Sequence, residues 1–152
     1  MPIKKPIVLT DGQLEQLQSG DRLDLGNAIE RTNNTGGALV IGTPVTVTST
    51  DMVEAQADAQ PTIRVAGFVG EPSVADAALG IVLVDGILTA TAPQWAAVVV
   101  GGVLVPGTDY FLDEATAGMI TATAPATGFV VRLGHALSTT EFEIEVQQPI
   151  KL

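Results

Sequence analysis

Gly86-Ile87-Leu88-Thr89-Ala90-Thr91-Ala92-Pro93 returns 32 residues later as Gly118-Met119-Ile120-Thr121-Ala122-Thr123-Ala124-Pro125. In each copy a glycine permits a tight turn, a Thr-rich run favours extended backbone, and a proline without an N–H stops a strand ladder. The correspondence continues at the same offset, since Val98-Val99 falls on Val130-Val131. The repeated element therefore reads as a turn, a short strand, a proline corner and a longer strand. Nothing in it is an obvious nucleophile, base or metal ligand, so what the chain repeats is architecture.

Working outward, the same grammar covers most of the chain. Ala38 to Ile41 and Val45 to Thr48 are strand-like runs bent at Gly42-Thr43-Pro44, after a turn cluster Asn33-Asn34-Thr35-Gly36-Gly37. The stretch from Asp51 to Pro61, rich in Ala, Gln and Asp, reads mainly as a loop. Short runs bounded by Gly or Pro follow at Ile63 to Val69, Gly80 to Val84, Ile87 to Ala92, Val98 to Val105, Tyr110 to Leu112, Phe129 to Leu137 and Phe142 to Val146. Strands at such spacing predict a sandwich or barrel.

The last hairpin can be specified by residue. Glu141, Glu143 and Glu145 alternate with Phe142, Ile144 and Val146, the pattern of a half-buried antiparallel strand. Pairing Val131 with Val146, Leu133 with Ile144 and His135 with Phe142 keeps one face apolar and sets Arg132 opposite Glu145. Leu137-Ser138-Thr139-Thr140 is then the connecting loop.

The N-terminus differs. Pro2 and Pro6 around Ile3-Lys4-Lys5 resist helix and read as an extended arm. A helix of about two turns is expected next: Thr10 as N-cap, Gln13 at the capping-box position, Leu9 and Leu14 as a hydrophobic staple, and Ser19-Gly20 as its end. The expected fold is thus all-β, a small antiparallel sandwich or barrel over residues 27–152, preceded over residues 1–26 by an arm and one short helix.

Composition narrows the function. The 152 residues suffice for one domain with its own core. Without cysteine there are no disulfides, Cys-based metal sites or thiol chemistry. A formal charge of -10, with no Lys or Arg between residues 65 and 131, argues against nucleic acid as a partner. The longest apolar run, Ala96 to Val105, is broken by Gly101-Gly102 and is about half the ~20 residues a spanning helix needs, so no membrane partner is expected. Only Ile7-Val8-Leu9 follow Lys4-Lys5 before polar residues, so no signal-peptide core is read there. Mean hydropathy of +0.37 with 16% charged residues suits a subunit that covers surface against copies of itself or a lattice.

Candidate chemistry is sparse. His135 is the single histidine, and its register beside Phe142 makes it a core or subunit-interface residue. Asp109, Asp113 and Glu114 around Tyr110-Phe111-Leu112 lack the glycine-centred loop of a calcium site and read as loop solvation. Ser19, Ser49, Ser73 and Ser138 lack a nucleophile elbow, and the glycine pairs lack phosphate-loop context. No cofactor, no metal and no enzymatic activity are expected. Trp95, after Pro93, reads as core or as an interface anchor, so Trp95, His135 and Phe142 are the expected oligomer-interface residues. The arm and the tail Gln147-Gln148-Pro149-Ile150-Lys151-Leu152 suit binding along another protein, which marks Ile3, Lys4, Lys5, Ile7, Ile150 and Lys151 as candidate contact residues.

Two stretches carry a resemblance. Pro6-Ile7-Val8-Leu9-Thr10-Asp11-Gly12-Gln13-Leu14-Glu15-Gln16-Leu17 with Gly20-Asp21 is similar to an N-terminal segment of tailed-phage virion proteins. Gly107-Thr108-Asp109-Tyr110-Phe111-Leu112-Asp113, then Gly118-Met119-Ile120-Thr121, Pro125, Gly128 and Val131-Arg132-Leu133-Gly134-His135-Ala136-Leu137-Ser138, resembles a β module of phage capsid decoration (cement) proteins and tail-fibre components. The resemblance implies a structural protein of the bacteriophage virion, a homotrimer on the outer surface of the head that clamps the major capsid protein. It also implies residence in the host cytoplasm during assembly. The alternative it leaves is a tail-fibre or baseplate-associated adhesion module, which the absence of heptads, Gly-X-Y runs or long repeats disfavours.

Overall fold

Runs of four or five residues rich in Val, Ile and Thr hide apolar surface only by pairing edge to edge and then packing face to face. The computed structural model describes residues 27–152 in full and residues 7–10 and 13–16 by backbone alone, and it contains two such solutions packed together. The protein is mostly β, with 40% of it in strands.

The first solution is a closed five-stranded barrel. Strands β1 (Ile7–Thr10) and β2 (Gln13–Gln16) pair as an antiparallel hairpin ahead of it. Next come β3 (Ala28–Asn33), β4 (Leu39–Val40), β5 (Pro44–Val47), β6 (Asp51–Glu54), β7 (Gly67–Val69), β8 (Ser73–Val74) and β9 (Leu79–Leu83). Around the barrel the order is β3-β6-β5-β7-β9, closed by antiparallel pairing of β3 with β9 from Ala28↔Leu83 to Thr32↔Leu79. One contact is parallel, β3 with β6, so the barrel is not purely antiparallel. Leu39, Val45, Met52, Val69, Val74 and Val82 form its small core. Fully buried Asn33 organises the turn cluster read from the sequence: its Nδ2 donates to Gly37 O (2.7 Å) and Val74 O (2.9 Å), and its Oδ1 accepts from Thr35 N (3.1 Å).

The second solution is a five-stranded antiparallel sheet. It is built from β10 (Gly86–Thr89), then, after the short helix α1 (Ala92–Ala96), from β11 (Asp109–Leu112), β12 (Ile120–Thr121), β14 (Arg132–Ala136) and β15 (Glu141–Ile144). Its order is β10-β15-β14-β11-β12, while β13 (Phe129–Val130) pairs with β16 (Ile150–Lys151) alongside. The inner face of this sheet and the barrel share one large core. Phe142 sits within it, its ring centroid 5.4 Å from Phe68 of the barrel, 5.7 Å from Trp95 and 6.0 Å from Tyr110.

Several expectations are corrected. Gln13–Gln16, read as part of the two-turn helix, is a strand paired to Ile7–Thr10, with Leu9 opposite Leu14. A two-turn helix carries nearly the whole nucleation cost for few bonds, and the intervening residues are Asp-Gly, the pair that two-residue hairpin loops favour. Residues 1–6 of the arm expected over residues 1–10, and the expected helix end at Ser19-Gly20, lie outside the described residues. Asp51–Glu54 is a strand, not a loop, because β5 pairs along it and buries Met52. Val98 to Val105 is not a strand: Gly101 (φ +94) and Gly102 (φ +81) reverse the chain, leaving one bridge from Val99 to Ile120.

The two repeat copies share their opening and then part. Gly86 (φ +91) and Gly118 (φ +74) both make the turn and both lead to a strand. After it, Thr91 caps α1 and Gln94 closes the capping box, with Pro93 in the first turn. The second copy has Ala126 where the first has Gln94, and no helix forms there. The copies also differ where buried Trp95 and helical Ala96 of the first correspond to Thr127 and Gly128 (φ +74) of the second.

Candidate interaction surfaces

The outward face of the sheet is decided by a bulge. β14 pairs with β11 as Asp109↔His135 and Tyr110↔Gly134, then shifts to Phe111↔Arg132, so Leu133 is an extra residue. With β15 the partners are Gly134↔Ile144, His135↔Glu143 and Ala136↔Phe142. Ile144 and Phe142 are therefore each one residue away from their expected partners, and His135, expected inside beside Phe142, stands outside beside Glu143. Gly134 (φ +147) makes this possible, because a Cβ there would collide with the Glu143 carbonyl. Leu133 and Val131 keep their expected inward positions, and Arg132 still meets Glu145 on the outer face. The loop Leu137 to Thr140 forms as read, with Ser138 Oγ accepting from Thr140 N and Glu141 N.

One row of the sheet's outer face thus reads Ile87, Glu143, His135, Asp109 across four strands. His135 Nε2 lies 3.3 Å from Glu143 Oε2, and its Nδ1 lies 3.7 Å from Glu145 Oε2. Beside them the Arg132 guanidinium spans Asp109 (2.7 Å) and Glu145 (3.0 Å). The hydrogen bond from Arg132 holds the Asp109 carboxyl below the ordinary aspartate pKa and raises the guanidinium's own. These pairs are solvent-exposed and screened, so the network orients side chains more than it stabilises the fold. Among the described residues no three His, Asp or Glu are grouped to hold a metal ion. Asp113 accepts from Thr116 N and closes a turn, well separated in role from Asp109.

The expected interface residues divide. Trp95 and Phe142 are both 0% exposed and belong to the chain's own core, so neither presents surface to a second subunit. Trp95 Nε1 donates to Thr140 O (3.1 Å), tying α1 to the β14–β15 loop. His135 is on the surface. Ile150 and Lys151 lie exposed on β16. Ile3, Lys4 and Lys5 are outside the described residues, and Ile7 is placed only by the backbone of β1.

A second surface was not singled out from the sequence. Between Ala97 and Thr108 there is no charged residue, and Val100, Val103 and Val105 are 48%, 60% and 50% exposed while Leu104 is buried. Tyr110 pins this loop from within: its Oη accepts from Val105 N (2.9 Å) and donates to Val103 O (3.2 Å). Gly107 N donates to Ala136 O, which brings the loop's end against Leu137, itself 41% exposed. The signal available in the sequence was the uncharged Val-Gly-Gly-Val-Leu-Val-Pro run, which reads equally well as a buried strand.

A groove of about 340 Å³ lies between Arg64, Val65, Ala66 and Val84 on one side and Val146, Gln147, Gln148 and Pro149 on the other. Compared with known proteins, the chain matches no protein-family model and no curated sequence.

Proposed function

We propose that this chain is a structural adhesion subunit, a phage capsid decoration protein that binds the outside of the head as a homotrimer and braces the major capsid lattice. The observation that carries the reading is the pinned apolar loop. Three half-exposed valines on a loop held by Tyr110 and backed by the common core make a surface suited to docking. Such a loop loses little conformational entropy when it binds, so even a small contact is efficient, and repetition over a lattice multiplies it. The resemblance of residues 6–21 and 107–138 to virion modules names the lattice. In this reading Ile3, Lys4, Lys5, Ile7, Ile150 and Lys151 contribute to the contact with the head, and His135 lies on an exposed face open to subunit contact.

The test is binding of the purified protein to undecorated heads, with mass measured in solution. A trimer that loads in amounts approaching the capsid subunit is expected, and Val103→Asp, an exposed substitution, should weaken loading at least tenfold. A monomer with no retention on heads would reject the proposal. Native particles holding only a few copies each would move the assignment to a tail-fibre or baseplate module.

A further inference from the structure

The groove beside residues 146–149 has the backbone of a missing strand. Pairing of β10 with β15 runs from Thr89↔Glu141 to Gly86↔Ile144 and then stops, because the chain before Gly86 turns away into β9. The strand it leaves behind continues. Glu145 N donates to Leu133 O and Gln147 N to Arg132 O, both toward β14. In an extended chain the intervening N–H groups face the opposite way. Those of Val146 and Gln148 therefore face the groove, and neither donates to any group among the described residues. Across the gap Ala66 N donates to Val45 O, while Val65 N, the next in the alternation, also has no acceptor among the described residues.

We infer that this groove is a strand-addition site for an extended segment of a partner polypeptide in which β-branched apolar residues alternate with carboxylates. Two features choose that chemistry. The apolar wall is formed by Val65, Val84 and Val146, which suits β-branched side chains. Exposed Arg64, whose guanidinium has no hydrogen bond or ion pair among the described residues, lines the same groove as Gln147 and Gln148. An acidic residue on the incoming strand meets Arg64 with opposite charge, and main-chain bonds to Val146 and Gln148 supply the affinity. The chain's own Lys4-Lys5 segment is disfavoured there, since it would bring like charge to Arg64. The size of the groove limits the added strand to a few residues, so the unaided peptide binds weakly.

The inference does not depend on the decoration reading, because its test needs only the full-length protein and a peptide. Nitrogen-15 NMR would follow addition of a blocked eight-residue peptide of alternating valine and glutamate, with the valine and lysine counterpart as control. The glutamate peptide should shift the Val146 and Gln148 amide signals and slow their hydrogen exchange at least tenfold, while Gln147, already bonded, changes little. The lysine peptide should bind at least fivefold more weakly, and Arg64→Glu should reverse that preference without altering the rest of the spectrum. Unmoved Val146 and Gln148 signals at saturating peptide, equal binding of the two peptides, or exchange protection of both amides in the free protein would each overturn the assignment.

Discussion

Replacing Phe142 with Ala tests whether barrel and sheet are one cooperative unit. The side chain is fully buried and its ring lies 5.4 to 6.0 Å from those of Phe68, Trp95 and Tyr110, inside the range of favourable aromatic contact. Truncation of a buried Phe to Ala costs about 3–5 kcal/mol, which already includes part of these ring contacts, so roughly 4 kcal/mol is the expected loss. For a chain of this length that lowers Tm by about 8–16 °C. The loss is a large fraction of the ~5–15 kcal/mol that holds a typical domain together. Urea unfolding would be followed both by far-ultraviolet circular dichroism and by fluorescence of Trp95, the single indole, which touches Phe142 directly. Because Phe68 belongs to the barrel and Trp95 to the segment after β10, a shared core requires the two signals to move together, both in wild type and in the variant. Phe142→Leu should recover part of the loss, and Ile87→Ala, at a site 56% exposed, should change stability by no more than about 0.5 kcal/mol. A loss under about 1.5 kcal/mol for Phe142→Ala, or two separated transitions in wild type, would refute the single-core reasoning.

Tyr110→Phe removes both bonds that hold the apolar loop and should cost about 1–2 kcal/mol in denaturant unfolding, with faster hydrogen exchange at the Val105 amide as the local readout. Asp109 should titrate below the ordinary aspartate value by NMR and return toward it in Arg132→Gln. Since its folded pKa is the lower one, the pair's contribution is complete above the unfolded value and disappears as pH falls through the folded value. An identical midpoint in both proteins would remove the Arg132 hydrogen bond as the cause.

Much of the local structure is legible in the residues themselves. Phe142, Ile144, Leu133 and Val131 are core positions by simple alternation, and the Glu141, Glu143, Glu145 face is outward, because side-chain direction in a strand depends only on position along it. Glycines at 86, 118, 101 and 102 read as turns and adopt positive φ, a property of the single residue. The alternation fails at His135, where an extra residue exchanges inside for outside. A bulge is visible in sequence only as a glycine, and Gly134 gave no reason to prefer a bulge over a plain strand position.

What the amino-acid order determines here is a mostly β chain with its turns and its apolar faces, both of which arise from neighbours a few residues apart. Closure of the barrel through β3 and β9, conversion of Asp51–Glu54 into a strand, burial of Trp95, exposure of His135 and the Val146 and Gln148 amides left without an acceptor among the described residues were decided by the tertiary structure alone. Each depends on which distant strand arrives alongside and where it leaves. Strand pairing energy resides in bonds between segments far apart in the chain, so no local pattern encodes where a pairing must stop.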